Sequence, residues 1–252
     1  MEIAEHIDVL HEQGVALAAA ASAAGLDAPV PTCPRWRVRH LLGHVGTVHR
    51  WAATHVREGK VAVAGGRQPP FAKPPKDERL DWFVEGHAAL VQTLRAAPPD
   101  VDSWSFLPAP SALAFWARRQ AHETAIHRAD AASALQEAVV YDTAFAADGL
   151  DELLCGFMAR PGGTLKADPQ RTLSVDALDA HRYWHVVIGP AGRQITTHAG
   201  PAADMAADCA IRGSASDLYQ LLWNRIPHGR PEIAGDADVV KLWRQLARVR
   251  WR

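Results

Sequence analysis

Glu123 and His127 are the residues of this chain best placed to do chemistry together, within Arg119-Gln120-Ala121-His122-Glu123-Thr124-Ala125-Ile126-His127-Arg128-Ala129-Asp130. The segment reads as helix. Residues four apart on a helix share a face about one turn apart, so a carboxylate and an imidazole can aim at one point. A divalent metal is one group they can share; a Glu–His hydrogen bond or a salt bridge to Arg119 or Arg50 is the other use of such a pair. On a helical wheel the two fall beside Leu113, Trp116, Gln120, Ala131 and Ala134, the face expected to look into a bundle. Buried there, they are costly unless something charged or hydrogen-bonding meets them. His122 points away. Although His122-Glu123 followed by His127 looks like the HExxH of metalloproteases, these two histidines are five residues apart and share no face, so a protease is excluded.

A metal would need a third ligand from another element. The segment from Trp36 to Trp51 supplies His40, His44 and His49, with His55 one turn beyond. Apolar residues at Val38, Leu41, Leu42, Val45, Val48 and Ala52 have the spacing of an amphipathic helix. Periodicity favours His49, nearer the centre of that stripe, over His44, which sits on its flank with Leu41, Val48 and Trp51. It does not decide between them.

The elements that must position these groups read as follows. A first helix spans Ile3 to Ala24, with Ile7, Leu10, Val15 and Leu17 among its apolar positions, and stops at Gly25 before Pro29 and Pro31. The second runs from Val38 to about Arg57. Gly59 to Pro75, rich in Gly, Pro and Lys, reads as a surface loop. A third helix spans Asp77 to Ala97, and a fourth Ser111 to Leu135. Four helices so connected make a bundle, whose core is where facing side chains assemble metal sites. A further helical stretch, Thr143 to Ala159, is expected to close this half. After Arg160-Pro161-Gly162-Gly163 the pattern changes to short β-prone runs at Arg171–Val175, Trp184–Ile188, Arg193–Thr197 and Cys209–Gly213, the second and third forming a hairpin. Ser214 caps an apolar helix, and another spans Asp236 to about Ala247. The expected architecture is α+β in two domains, residues 1–160 and 161–252.

Composition narrows the function. With 252 residues, 48% of them hydrophobic, the chain can bury a substantial core. A net charge of −1, from 27 basic and 28 acidic residues without a block of like charge, gives no sequence-independent grip on nucleic acid or membrane. The Ala-rich start carries Glu2, Glu5, Asp8 and Glu12 where a signal peptide would carry basic residues, and no apolar run approaches the roughly 20 residues that span a bilayer. Cys33, Cys155 and Cys209 are far apart with no CxxC pairing, which fits a cytoplasmic protein. The chain is expected to act as a monomer. Of the nine tryptophans, Trp36, Trp51, Trp82 and Trp116 occupy helical positions suited to core packing.

The pattern W-x-V-x-x-L-L-G-H from Trp36 to His44, together with His122-Glu123-x-x-x-His127-Arg128-x-Asp130, resembles the mycothiol-dependent maleylpyruvate isomerase family. So does the segment Ile211 to Leu218, followed by Leu221-Leu222-Trp223-Asn224-Arg225 and Gly235-Asp236. The resemblance implies an N-terminal DinB-like four-helix bundle and a smaller C-terminal domain related to sterol-carrier-like folds. It implies zinc, or another divalent metal, on His44, Glu123 and His127, with mycothiol as the low-molecular-weight thiol. Three protein ligands on tetrahedral zinc leave a position open, the mark of a catalytic site. The implied reaction is addition of the activated thiolate to a cis-enoyl acid, rotation and elimination, or transfer of the thiol to an electrophile. Arg212 and Arg225 are candidates for gripping a substrate carboxylate between the two domains, because a guanidinium offers a fixed fork of donors. The rival classes are a non-catalytic metal or thiol sensor, and a zinc-hydroxide hydrolase, for which His49 is the one nominated base.

Overall fold

In the first unit of the fold, Met1–Val139, four helices account for most of the chain: α1 (Ile3–Ala24), α2 (Val38–Glu58), α3 (Arg79–Ala96, entered through a 3₁₀ turn at Lys76–Glu78) and α4 (Ala112–Ser133). The structure, a computed structural model, describes residues 1–59, 72–200, 206–225 and 230–249. The loop expected over Gly59 to Pro75 falls largely outside them, at 60–71. The bundle expected from periodicity is present, with helix ends within two residues of those read from the sequence.

Local chemistry sets the starts. Glu5 folds back so that its carboxylate accepts from the Glu2 backbone N–H at 2.6 Å, and the Ser111 hydroxyl accepts from Ala114 N–H at 3.1 Å, satisfying donors that a helix start leaves orphaned. In α1, Ile7, Leu10, Leu17 and Ala21 form the buried stripe, while Val15 is 55% exposed on the outer face. This helix packs on α4 and α3, and α2 packs on α3 and α4. As a result α4 is buried on nearly every side, and Ala117, Ala121 and Ala125 keep it slim enough for that. One close approach depends on a missing side chain: a Cβ on Gly14 of α1 would stand 2.1 Å from His87 Nε2 of α3, which bonds the Leu10 carbonyl at 3.0 Å.

The α1–α2 connector folds into a compact turn, with Val30 N–H donating to Trp36 O at 3.1 Å and Trp36 N–H to Cys33 O at 2.7 Å. It delivers Thr32 and Trp36 to one end of α4. Trp51 and Trp116 are buried as expected, but Trp36 and Trp82 are half-buried. Trp82 lies under the Arg50 guanidinium, 3.9 Å from its ring centroid, so it caps a cation at the bundle surface.

The second unit is Val140–Arg252. Its start differs from the boundary expected at 160: α5 (Thr143–Asp151), capped by the Asp142 carboxylate and continued by a π-helical turn over Glu152–Met158, packs on a helix of this unit. That partner is α6 (Ala215–Leu222), whose N-cap is Ser214 as expected. Five strands, β1 (Arg171–Ala177), β2 (Arg182–Ile188), β3 (Arg193–Ala199), β4 (Cys209–Gly213) and β5 (Glu232–Gly235), form one sheet in the order β3-β2-β1-β4-β5. Only β1 and β4 pair in parallel, with Leu173 opposite Cys209 and Val175 opposite Ile211. The expected β2–β3 hairpin is present, pairing Val186 with Ile195. Leu173, Val175, Trp184, Val186, Cys209 and Ile211 are fully buried on alternating positions. Helices α6 and α7 (Asp238–Leu246) contact β1, and Trp243 Nε1–H donates to Leu222 O at 2.9 Å to tie them together. Among the described residues no helix is long and apolar enough to cross a membrane.

Candidate metal centre

Two helices build the site. Helix α2 brings His44 and helix α4 brings Glu123 and His127, and their donor atoms all lie within 4.8 Å of one another. One oxygen, Glu123 Oε1, is the meeting point, 3.2 Å from His44 Nε2 and 3.3 Å from His127 Nε2. Two imidazoles and a carboxylate are zinc-type donors, and the edge of a tetrahedron with metal–ligand bonds of about 2.0–2.1 Å is about 3.3 Å. The donor set and these two separations are compatible with such an ion. His44 is the exposed side of the group, its side chain 25% accessible against 7% for Glu123 and 9% for His127.

Each of the two inner residues is held from behind. The His127 Nδ1–H donates to Asp130 Oδ2 at 2.8 Å, and Asp130 Oδ1 accepts from the Thr32 hydroxyl at 2.5 Å. This fixes the imidazole with Nε2 toward Glu123, an arrangement that orients and strengthens a metal ligand. Arg119 Nη2 donates to the other carboxylate oxygen, Glu123 Oε2, at 3.2 Å. Trp36 covers the group, with ring centroids 5.0 Å from His44 and 6.0 Å from His127.

The electrostatics follow. Burial pushes the Glu123 carboxyl up, but hydrogen bonds from His127 and His44 and the charge of Arg119 outweigh it and hold it well below the carboxylate range. Burial pushes His127 down, and its bonds to the Asp130 and Glu123 carboxylates reverse this, raising it to about 9. The site therefore presents anionic oxygens that attract a cation, and a metal there would compete with a proton on His127.

Other residues singled out in the sequence lie elsewhere. His49, favoured by periodicity, is fully buried with Nε2–H donating to Thr124 Oγ at 2.9 Å; the Thr124 hydroxyl donates onward to Gln120 O at 2.7 Å. Burial pushes its imidazole well below the ordinary value. It is a neutral core group and takes no part in the cluster. His55 stacks between Trp104 and Trp116, and His40 bonds the Arg37 backbone at the start of α2. His122 is buried with its ring edge against His6, away from Glu123. Arg50 bonds the Gly46 and Trp82 carbonyls, and Arg128 bonds Gln13, so of the nearby arginines Arg119 is the one that meets Glu123.

In the second unit, Arg212 on β4 is half-exposed and 4.0 Å from Asp176 Oδ2, and Arg225, just after α6, donates to Trp223 O at 2.7 Å. The sequence reading assigned no role to Asp130, though its i+3 spacing from His127 was visible, and none to Thr32, which is 98 residues from its partner.

A His–Glu–His cluster from two helices of a four-helix bundle, followed in the chain by a small α+β unit, defines a class of two-domain proteins with a candidate metal centre. The mycothiol maleylpyruvate isomerase N-terminal domain family matches residues 7–132, and the C-terminal domain family of the same proteins matches residues 144–241. The chain belongs to the mycothiol-dependent maleylpyruvate isomerase family. A crystal structure of the mycothiol-dependent maleylpyruvate isomerase superposes with a TM-score of 0.59 at 13% identity, covering 93% of each chain. That of a histidine-to-alanine variant of such an isomerase superposes with a TM-score of 0.57 at 13% identity, covering 88% of each. At that identity these structures share the fold. No curated protein matches the sequence.

Proposed function

We propose that the chain is a metal- and mycothiol-dependent enzyme, with His44, Glu123 and His127 holding zinc or a similar divalent cation. The observation that carries this reading is the convergence of both Nε2 atoms on Glu123 Oε1, at 3.2 and 3.3 Å. A cation bound there would supply Lewis acidity, lowering the pKa of a thiol that reaches the open position. Asp130 keeps the His127 proton on Nδ1 so that Nε2 is free to ligate, and Arg119 balances the buried carboxylate. Trp36 shields the ligands from water on one side, while the exposed edge at His44 leaves an approach.

The reaction class is cis–trans isomerisation of an unsaturated acid, or transfer of the thiol to a small electrophile. Both use the same ligands. Arg212, half-exposed and only loosely paired with Asp176, keeps a guanidinium for a substrate carboxylate, and Arg225 is a second candidate. A hydrolase would need a base beside the metal, and His49, bonded to Thr124 in the core, does not serve. A metal or thiol sensor would keep the site without turnover.

The test is metal analysis joined to calorimetry. The purified protein is expected to carry one zinc per chain, lost in His44→Ala, and the zinc form is expected to bind mycothiol in preference to glutathione. Thiol binding without consumption of any tested enoyl acid or electrophile would favour the sensor.

A further inference from the structure

Arg37, Arg39, Lys73, Lys76 and Arg79 meet at the start of α2, the helix that carries His44. One carboxylate serves them: Asp27 pairs with Arg39 and Lys76, and its backbone carbonyl accepts from Arg37. Arg79 is held by carbonyls instead, its Nε–H donating to Pro74 O at 2.8 Å and an Nη1–H to Arg39 O at 3.2 Å. Such bonds fix a guanidinium without neutralising it. It lies against Gly43, where a Cβ would stand 2.7 Å from Arg79 Nη1 and 3.4 Å from Cδ of the exposed Lys73. Asp77, Glu78 and Asp81 are exposed in the 3₁₀ turn and first turn of α3, and among the described residues none of them pairs with Lys73 or Arg79. The first turn of α2 holds no acidic residue, although a helix start favours negative charge. Burial, and then the charges of Arg39, Arg79, Arg37 and Lys73, hold the His40 imidazole below its ordinary value. Like charges gathered this way repel unless an anion joins them.

We infer that Arg79, with Arg39 and Lys73 beside it, is a specificity-determining residue that receives the carboxylate of an organic acid handled at the metal centre. This deepens the proposed function and rests on it. His40, which feels four of these cations, lies one turn before His44 on the same face of α2, and Gly43, which makes room for Arg79, is the residue next to His44. The exposed edge at His44 therefore borders the cluster. One turn is about 5.4 Å along the axis, a distance that a chain of a few carbons spans. A guanidinium offers donors in a fixed fork that matches a carboxylate, and Arg79 Nη2 donates to neither carbonyl. A carboxylate there would offset charge that Asp27 alone does not. The site lies within the first unit and uses neither Arg212 nor Arg225. It selects an unsaturated acid over an uncharged electrophile as the substrate.

The thiol adduct of an unsaturated acid carries sulfur and a carboxylate on one carbon chain, so a mercapto acid imitates it. The experiment compares ω-mercaptohexanoate with the uncharged ω-mercaptohexanol on the zinc-loaded protein by calorimetry, in wild type, Arg79→Met, Gly43→Ala and Arg95→Met. Wild type is expected to prefer the acid by about tenfold, the scale of one hydrogen bond to a charged group, and Arg79→Met to lose that preference with zinc content unchanged. Gly43→Ala keeps every charge and adds a good helix former, but its methyl group displaces the guanidinium; it is expected to lose part of the preference and serves should Arg79→Met not fold. Arg95→Met removes the same charge from the other end of α3, where Arg95 pairs with Asp8, and is expected to keep the preference in full. If wild type binds both thiols alike, if Arg79→Met keeps the preference, or if Arg95→Met loses as much, the cations only fasten the connector and the inference is overturned alone. If zinc-loaded wild type binds neither thiol, the proposed function falls and the inference with it.

Discussion

Asp130 Oδ2 stands 2.8 Å from His127 Nδ1, and that bond decides which nitrogen of the imidazole faces Glu123. The aspartate is itself fully buried and steadied by Thr32 from the connector ahead of α2. Removing it frees the ring to rotate and to place its proton on either nitrogen. Asp130→Ala is expected to lower zinc affinity by about 10- to 100-fold, and Thr32→Ala by less, as measured by competition with a chelator of known affinity.

Glu123 has two duties, and they separate in mutants. Its Oε1 meets the histidines and its Oε2 meets Arg119, whose guanidinium is entirely buried. Glu123→Gln is therefore expected to lose metal and to destabilise the bundle by about 3–5 kcal/mol, the scale for removing one partner of a buried ion pair. His44→Ala, at the exposed edge, is expected to lose metal with little change in the urea midpoint of the metal-free protein. Equal destabilisation in the two variants would contradict this division.

The metal-free protein is expected to have a stability maximum near pH 6.5. His127 binds its proton more tightly folded, at about 9, than unfolded, at 6.5. Its contribution is complete below 6.5 and is lost as pH rises through about 9. Burial holds His49, His55 and His87 below 6.5 in the fold, so the unfolded chain takes up protons there that the native state does not. Stability therefore also falls as pH drops below 6.5. Urea midpoints across pH 5 to 10 check both limbs, and zinc uptake at pH 7.5 should release a proton, seen as a dependence of the calorimetric heat on buffer.

Gly14→Ala places a methyl group where the His87 ring lies, 2.1 to 2.4 Å from three of its atoms. A loss of about 1–3 kcal/mol is expected, in line with overpacked cores. The double variant with His87→Ala should recover part of it, since the ring is what the new methyl meets.

Helices were the legible part of the fold because burial imposes a period of 3.6 on residues such as Ile7, Leu10, Leu17 and Ala21. The edge strand β5 was not legible: Glu232–Gly235 is four residues long and exposed along most of its length, so no alternation develops. The domain boundary was read at Pro161-Gly162-Gly163, the strongest local break. What assigns Thr143–Met158 to the second unit is packing of α5 on α6, some 70 residues away, which local pattern does not carry.

At the site, Glu123 and His127 were visible because one helix turn relates them. The choice between His44 and His49 was not, and the reason is physical. The centre of an apolar stripe marks the deepest position, and His49 is fully buried there; a residue that would hold a metal open to a small molecule suits the flank, where His44 is 25% accessible. Resemblance to a family pointed to His44, and the fold places it beside Glu123.

The most direct test of the metal–thiol account is X-ray absorption at the zinc edge on the purified protein, with and without mycothiol. The account predicts one zinc with nitrogen and oxygen ligands, two of them imidazole, and one sulfur ligand gained on adding the thiol. A protein that takes up no zinc, or whose zinc gains no sulfur at saturating mycothiol, would contradict it.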